Sequence, residues 1–287
     1  MNLDQARAYM LSLINRDRAT KGVGPVQLDP VANNAAQWHS DEMAKQLFNS
    51  HWHPDGSKPP QRYTKSGGLN YDCENSHGFL PCPDFTSEVP ADQSFTASEV
   101  EREESCYFDE VPPRDGHRIN ILDPARTHVG VGLTLLLLTS RQNQLREVTS
   151  SQEFVNRYGR YLLSANEMKP NVPFIFGGVL QPDVTVQSIQ LLWEKEPEPL
   201  DLDTLRRTVG PYSYSYPNPS KMLLSVFPVP YAQKPNVSLL TKGNQFKLEL
   251  LPDHNWKPGL IYIIMFVNPG RNKPVEASQI VVPYTKN

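Results

Sequence analysis

A chain of 287 residues with 38% hydrophobic and 21% charged residues has the composition of a globular protein that buries a substantial core, in one large or two ordinary domains. Its formal charge of −3 and its lack of any Lys/Arg-rich run exclude the basic footprint of a nucleic-acid binder or a polybasic membrane anchor. The longest apolar stretch, VGVGLTLLLL at 129–138, is far short of the roughly 20 residues that cross a bilayer, so it reads as a buried strand and no transmembrane segment is expected.

No charged-then-apolar leader precedes the first helical pattern, so a signal peptide is not expected within this chain. Leu3, Ala6, Met10, Leu13 and Ile14 recur at helical spacing, and Asn2 with Gln5 predicts a capping box at the helix start. A second helix is predicted from LDP, where Asp29 can cap and Pro30 suits the first turn. It presents Ala32, Ala35, Ala36, His39, Met43 and Leu47 on one face and ends near Phe48.

Residues 49–93 are dense in Gly, Pro, Asn, Asp and Ser, the composition of a long connection, and connections of that length are usually functional. A third helix is expected over Thr96–Phe108, then the apolar strand, with residues 145–162 pairing as a final strand of the same unit. Cys73 and Cys82 are near enough in sequence to close a small loop, although spacing does not establish a bond. The alternative is that Cys73, Cys82 and Cys106 are small buried hydrophobes.

Beyond about residue 165, where 16 of the 27 prolines lie, short runs are separated by turn signals: VTVQSIQLLW, KMLLSVFPV, NQFKLELL, GLIYIIMFV and QIVVPY. In the third of these Phe246, Leu248 and Leu250 alternate with Lys247 and Glu249, as in a half-buried strand. A small β-sandwich is predicted, acting as an interaction or packing module because no set of catalytic residue types stands out in it.

Imidazoles and carboxylates gather in the first half: His51 and His53, Glu74 and His77, Glu101, Glu103, Glu104 and Glu110, and His117. Nitrogen and oxygen donors of this kind suit a divalent ion, but no HExxH or paired CxxC holds two of them on one rigid element. His39, on the apolar face of the second helix, reads as a satisfied core histidine. His53, His77, His128 and His254 read as loop, surface or turn residues, and Glu101 and Glu110 as a solvated helix face and its end. Arg118 and Asn120 are expected to hold the turn around His117.

The order LINRDRATKGVGPVQLDP, FNSHWHPDGS, ENSHG, VEREESCY and GHRINILDPARTHVGVGL resembles the CAP superfamily of cysteine-rich secretory, antigen 5 and pathogenesis-related 1 proteins, with its bacterial secreted branch the nearest in look. The resemblance covers roughly residues 3–160 and is most specific in GHRINIL followed by VGVG. It implies an α-β-α sandwich domain over 1–165, which together with the all-β sandwich predicted from the strand pattern over 166–287 makes the fold class α+β. It also implies a cleft lined by two histidines and two glutamates.

Carried over by position, that set is His51, three residues before Pro54 of the Pro-Asp-Gly turn, then Glu74 of Glu-Asn, then Glu103, four residues before Tyr107, and His117. Glu104 is the fallback for Glu103. Two departures stand out: Cys73 replaces the family's glycine before Glu74, where glycine allows backbone angles that cysteine does not, and Val100 replaces an aromatic residue before Glu103.

The resemblance implies a secreted, non-enzymatic protein whose tetrad binds a divalent metal (zinc, magnesium or calcium are not distinguished) and whose cleft takes a peptide, lipid or sterol, or envelope component. The alternative is a metal-dependent peptidase or other hydrolase with Glu74 or Glu103 as general base.

Overall fold

Asn2 starts the first helix, α1 (Leu3–Thr20), by accepting from the Gln5 backbone amide while the Gln5 side chain accepts from its own, the predicted capping box. After the two-residue strand β1 (Gln27–Leu28), Asp29 accepts from the amides of Val31 and Ala32 to cap α2 (Pro30–Gln46), which ends at Leu47. The stretch read as a long connection carries elements of its own: α3 (Pro59–Lys65), β2 (Tyr71–His77) and β3 (Thr86–Glu88). Pro59 and Pro60 fall in the first turn of α3, where proline starts helices as readily as it marks loops. Thr96 and Glu99 form a second capping box at α4 (Ala97–Phe108), followed by α5 (Gly116–Leu122), β4 (His128–Thr139), β5 (Gln144–Asn156) and α6 (Leu202–Arg207).

The structure, a computed structural model, describes residues 1–207, 221–228, 236–270 and 273–286. Its chain divides into two units: Met1–Ser66, Cys73–Val155 and Glu198–Tyr214 in the first, and Gly67–Asp72, Asn156–Pro197 and Ser215–Asn287 in the second.

In the first unit the sheet runs β1-β4-β5-β2, with β3 also on β4. Because side chains alternate along a strand, β4 serves two layers. Val129, Val131, Leu133 and Leu135 pack with Met10, Leu13 and Ile14 of α1 and Val100 and Tyr107 of α4. The intervening Gly130, Gly132 and Thr134 meet Ala32, Ala36 and Ser40, spaced one turn apart on α2. A Cβ on Gly130 would sit 2.1 Å from the Ala32 carbonyl carbon and one on Gly132 would sit 2.1 Å from the Ala36 oxygen, so the glycines permit backbone-to-backbone packing of helix on strand. The result is the expected α-β-α arrangement.

The second unit contains β6 (Gly159–Leu163), β7 (Phe174–Leu180), β8 (Thr185–Glu194), β9 (Lys221–Val226), β10 (Val237–Lys242), β11 (Gln245–Leu250), β12 (Gly259–Asn268) and β13 (Val275–Tyr284). They form two four-stranded sheets, β10-β11-β7-β6 and β13-β12-β8-β9, that share one apolar core including Phe176, Leu239, Leu248, Ile189, Ile263 and Ile280. Phe246, Leu248 and Leu250 are buried on β11 as their alternation requires. Val229, the last residue of the run KMLLSVFPV, lies outside the described residues.

Residues 145–162 are not one strand: β5 ends at Asn156, and β6 pairs with β7 in the other sheet. The cysteines form no disulfide, and they are not the buried hydrophobes of the alternative reading, since Cys82 and Cys106 are exposed and Cys73 is half-buried.

Candidate functional site

Strand β5 carries a polar run, Thr149-Ser150-Ser151-Gln152-Glu153, every member of which is fully buried. Buried polar groups require partners: Thr149 shares its bonds with Ser40 of α2, and Ser150, Ser151 and Gln152 meet the acidic side chains of α4 and β2. Ser150 Oγ donates to Glu103 Oε2 (2.7 Å), Ser151 Oγ to Glu74 Oε2 (3.4 Å) and Gln152 Nε2 to Glu104 Oε2 (2.6 Å). A polar floor is thus built beneath the residues that the sequence singles out.

Glu74, on β2, is buried and held from three sides. Arg62 of α3, itself fully buried, donates from Nη2 to Oε2 at 2.5 Å, and its Nη1 donates to the His51 carbonyl at 2.9 Å. His51 Nδ1 lies 2.8 Å from Oε1. Burial works against the Glu74 charge, but Arg62 and then the two histidines His39 and His51 outweigh it, so the carboxyl stays ionised well below the usual range. Ser76 Oγ approaches the same Nδ1 at 3.3 Å. A nucleophile and its orienting acid would need opposite nitrogens of the ring, so Ser76 is not activated as in a Ser-His-acid triad.

The second histidine, His117, stands at the start of α5, whose N-cap Asp115 makes no side-chain capping bond. Glu110 supplies that function from just past α4. Its Oε2 accepts from the His117 amide at 2.9 Å and its Oε1 lies 2.8 Å from His117 Nδ1. The His51 and His117 ring centroids are 6.3 Å apart, and Tyr107 packs edge-on against His117 at 5.1 Å. Burial lowers the His117 pKa, opposed by Glu110 and assisted by the like charge of His51, so the ring is neutral at pH 7. Asn120 donates to Asn75 Oδ1 and to the Cys73 carbonyl, and Arg118 donates to the Phe108 carbonyl, so both fasten this turn as expected.

His51, Glu74 and His117 therefore gather in one place, but the second carboxylate there is Glu110, which the sequence reading set aside as a solvated helix end. Glu103 instead binds His77, whose Nδ1 lies 2.9 Å from Oε2, and Ser150. Burial opposes a proton on His77, but the hydrogen bond and charge of Glu103 outweigh it and raise its pKa. Glu104, the fallback, points to Gln152 and is pushed up to about 8 by burial.

His39 is the core histidine its helical position predicts, whereas His53, His77 and His128 are not where composition put them. His53 is buried, with Nε2 2.7 Å from His39 Nδ1, and His39 Nε2 faces Glu74 Oε1 at 3.4 Å. Burial and then Arg62 depress both imidazoles, His39 to about 3, so the pair is neutral. A neutral ring has one donor and one acceptor, so the His39 N–H that faces Glu74 makes its Nδ1 the acceptor for His53. His77 lies on β2 and His128 opens β4 rather than lying in loops.

As a four-ligand metal set, His51, Glu74, Glu103 and His117 do not fit. Both Glu74 oxygens are taken by Arg62 and His51, Glu103 serves His77 and Ser150, and no group of three or more His, Cys, Asp or Glu side chains among the described residues is disposed around one ion. What fits is a smaller donor set of two imidazoles, each with its Nδ1 against a carboxylate, the arrangement by which outer carboxylates orient metal-binding histidines.

The sequence model of the cysteine-rich secretory protein family, CAP, matches residues 11–135, which include His51, Glu74, Glu110 and His117. A 1.5 Å crystal structure of an extracellular protein containing an SCP domain from Bacillus anthracis str. Ames is similar at 17% identity and a TM-score of 0.38, over 54% of this chain and 41% of that one. The chain thus spans less than half of that structure. Among curated proteins, no sequence matches.

Proposed function

We propose, from the match of the cysteine-rich secretory protein family model to residues 11–135, that this is an extracellular binding protein rather than an enzyme, and that its binding centre is the pair His51–Glu74 and His117–Glu110. The single observation that carries this reading is the paired geometry: two histidines 6.3 Å apart, each backed at 2.8 Å by a carboxylate. Imidazole nitrogens suit zinc better than magnesium or calcium. His51 and His117 would hold the ion, Glu74 and Glu110 would orient them, and a bound ion would leave open positions for the oxygen of a peptide, lipid or envelope ligand.

The alternative, a metal-dependent hydrolase with Glu74 or Glu103 as general base, is chemically weaker. Arg62 holds Glu74 far below the pKa that makes a useful base near neutral pH, and Glu103 is fully buried and bonded to Ser150 and His77. No helix among the described residues is long and apolar enough to cross a membrane. The β-sandwich serves in this proposal as an interaction module. Calorimetric zinc titration of wild type, His51→Ala and His117→Ala tests the centre, and the same affinity in all three would remove it from the account.

A further inference from the structure

Segment 198–207 leaves the chain between β8 and β9 yet packs in the first unit, on the stretch that carries His51. Leu205 of α6 is fully buried with Met43 and Phe48, and Leu200, Leu202 and Trp52 pack against them. Arg206 donates from Nε to the Leu47 carbonyl (3.0 Å) and from Nη2 to the Gln46 carbonyl (2.8 Å), occupying acceptors that the end of α2 leaves without helical partners. Leu47 itself is left-handed (φ 52°), a conformation uncommon for a residue other than glycine. Further along, the Leu200 amide donates to the Pro54 carbonyl at 2.8 Å. Residues 46 to 54 are thus gripped at both ends, with His51 and His53 between.

The grip reaches the candidate centre through side chains. Phe48 packs with Leu205 and lies near the rings of His39 and His53, at 6.2 and 6.4 Å between centroids, and His39 faces Glu74, which bonds His51. We infer that segment 198–207 is a strap that positions His51, with Leu205 and Arg206 as positioning residues, so that the His51 side of the centre is completed by chain from beyond β8. This rests on the reading of His51 as a binding residue only for its consequence, not for the strap itself.

Hydrogen exchange on the full chain, read by mass spectrometry for wild type, Leu205→Ala and Arg206→Ala, separates the two. The amides of Phe48, His53 and Gly56, bonded to Met43, Ser57 and His53, should exchange about tenfold faster or more in both variants, while those of β4 stay as in wild type. Zinc affinity should fall in parallel. Unchanged exchange at residues 48–56, or an equal rise along β4, overturns the strap. Wild type that binds no zinc while residues 48–56 loosen as expected would sink the proposed binding function and leave the strap standing.

Discussion

Arg62 and Glu74 form an ion pair with no exposed side-chain surface on either partner, Nη2 to Oε2 at 2.5 Å, and the same guanidinium holds the His51 backbone. Removing one partner of such a pair leaves an uncompensated buried charge. Arg62→Met should therefore cost about 3–5 kcal/mol in urea unfolding. Because folding depresses the Glu74 pKa, its contribution is present above the unfolded value of about 4.3 and is lost as pH falls through the folded one. Wild-type stability should decline on acidification below about pH 4.3, and a Glu74→Gln protein that keeps the same acid slope would contradict the assignment.

Glu104 works in the opposite direction. Its carboxyl is pushed up to about 8 by burial, so the fold keeps a proton that the unfolded chain has released by about pH 4.3. The sign follows: its contribution is complete below that value and is lost as pH rises toward 8, at about 1.4 kcal/mol per pH unit. Glu104→Gln removes the titration, so the variant should gain on wild type steadily between pH 5 and 8. Parallel stability curves for the two proteins would refute this.

Glu110 and Glu103 can be told apart by zinc binding. Glu110→Gln removes the carboxylate beside His117 and should weaken zinc affinity by about 10- to 100-fold, as loss of an outer carboxylate does elsewhere. Glu103→Gln, whose side chain serves Ser150 and His77 rather than His51 or His117, should leave affinity within about twofold of wild type, well below the loss expected at Glu110. The reverse ranking would restore the set expected from sequence.

Gly132→Ala tests the packing of α2 on β4. A Cβ there meets the Ala36 carbonyl oxygen at 2.1 Å, and backbone cannot move aside as a flexible side-chain end can. The cost should be at the upper end of overpacking, about 3 kcal/mol or more, measured as a fall in the urea midpoint. Gly22→Ala at a turn with open space around its Cβ position carries only the penalty of its left-handed backbone and serves as the comparison.

Much of the first unit was legible because its signals are local. Asn2 with Gln5 and Asp29 with Pro30 are capping chemistry contained within four residues, and the apolar run 129–138 marks a buried strand on its own. The family order of motifs fell within the segment that the family model matches, and that order drew attention to His51, Glu74 and His117 without coordinates.

The pairings were decided only by the tertiary structure. Glu103, Glu104 and Glu110 are alike as letters, and nothing within a few residues of any of them shows that one is to meet Ser150, one Gln152 and one His117. His53 looked like the loop neighbour of His51 because it sits before a Pro-Asp-Gly turn. Burial behind Glu74 depends on α2 and Arg62 closing over it, and no nearby pattern encodes that. The strap is the extreme case, since Leu205 reaches Phe48 across more than 150 positions. Local periodicity determines which elements form. Which carboxylate, histidine or leucine meets which partner is decided by long-range burial, where desolvation makes each partner obligatory.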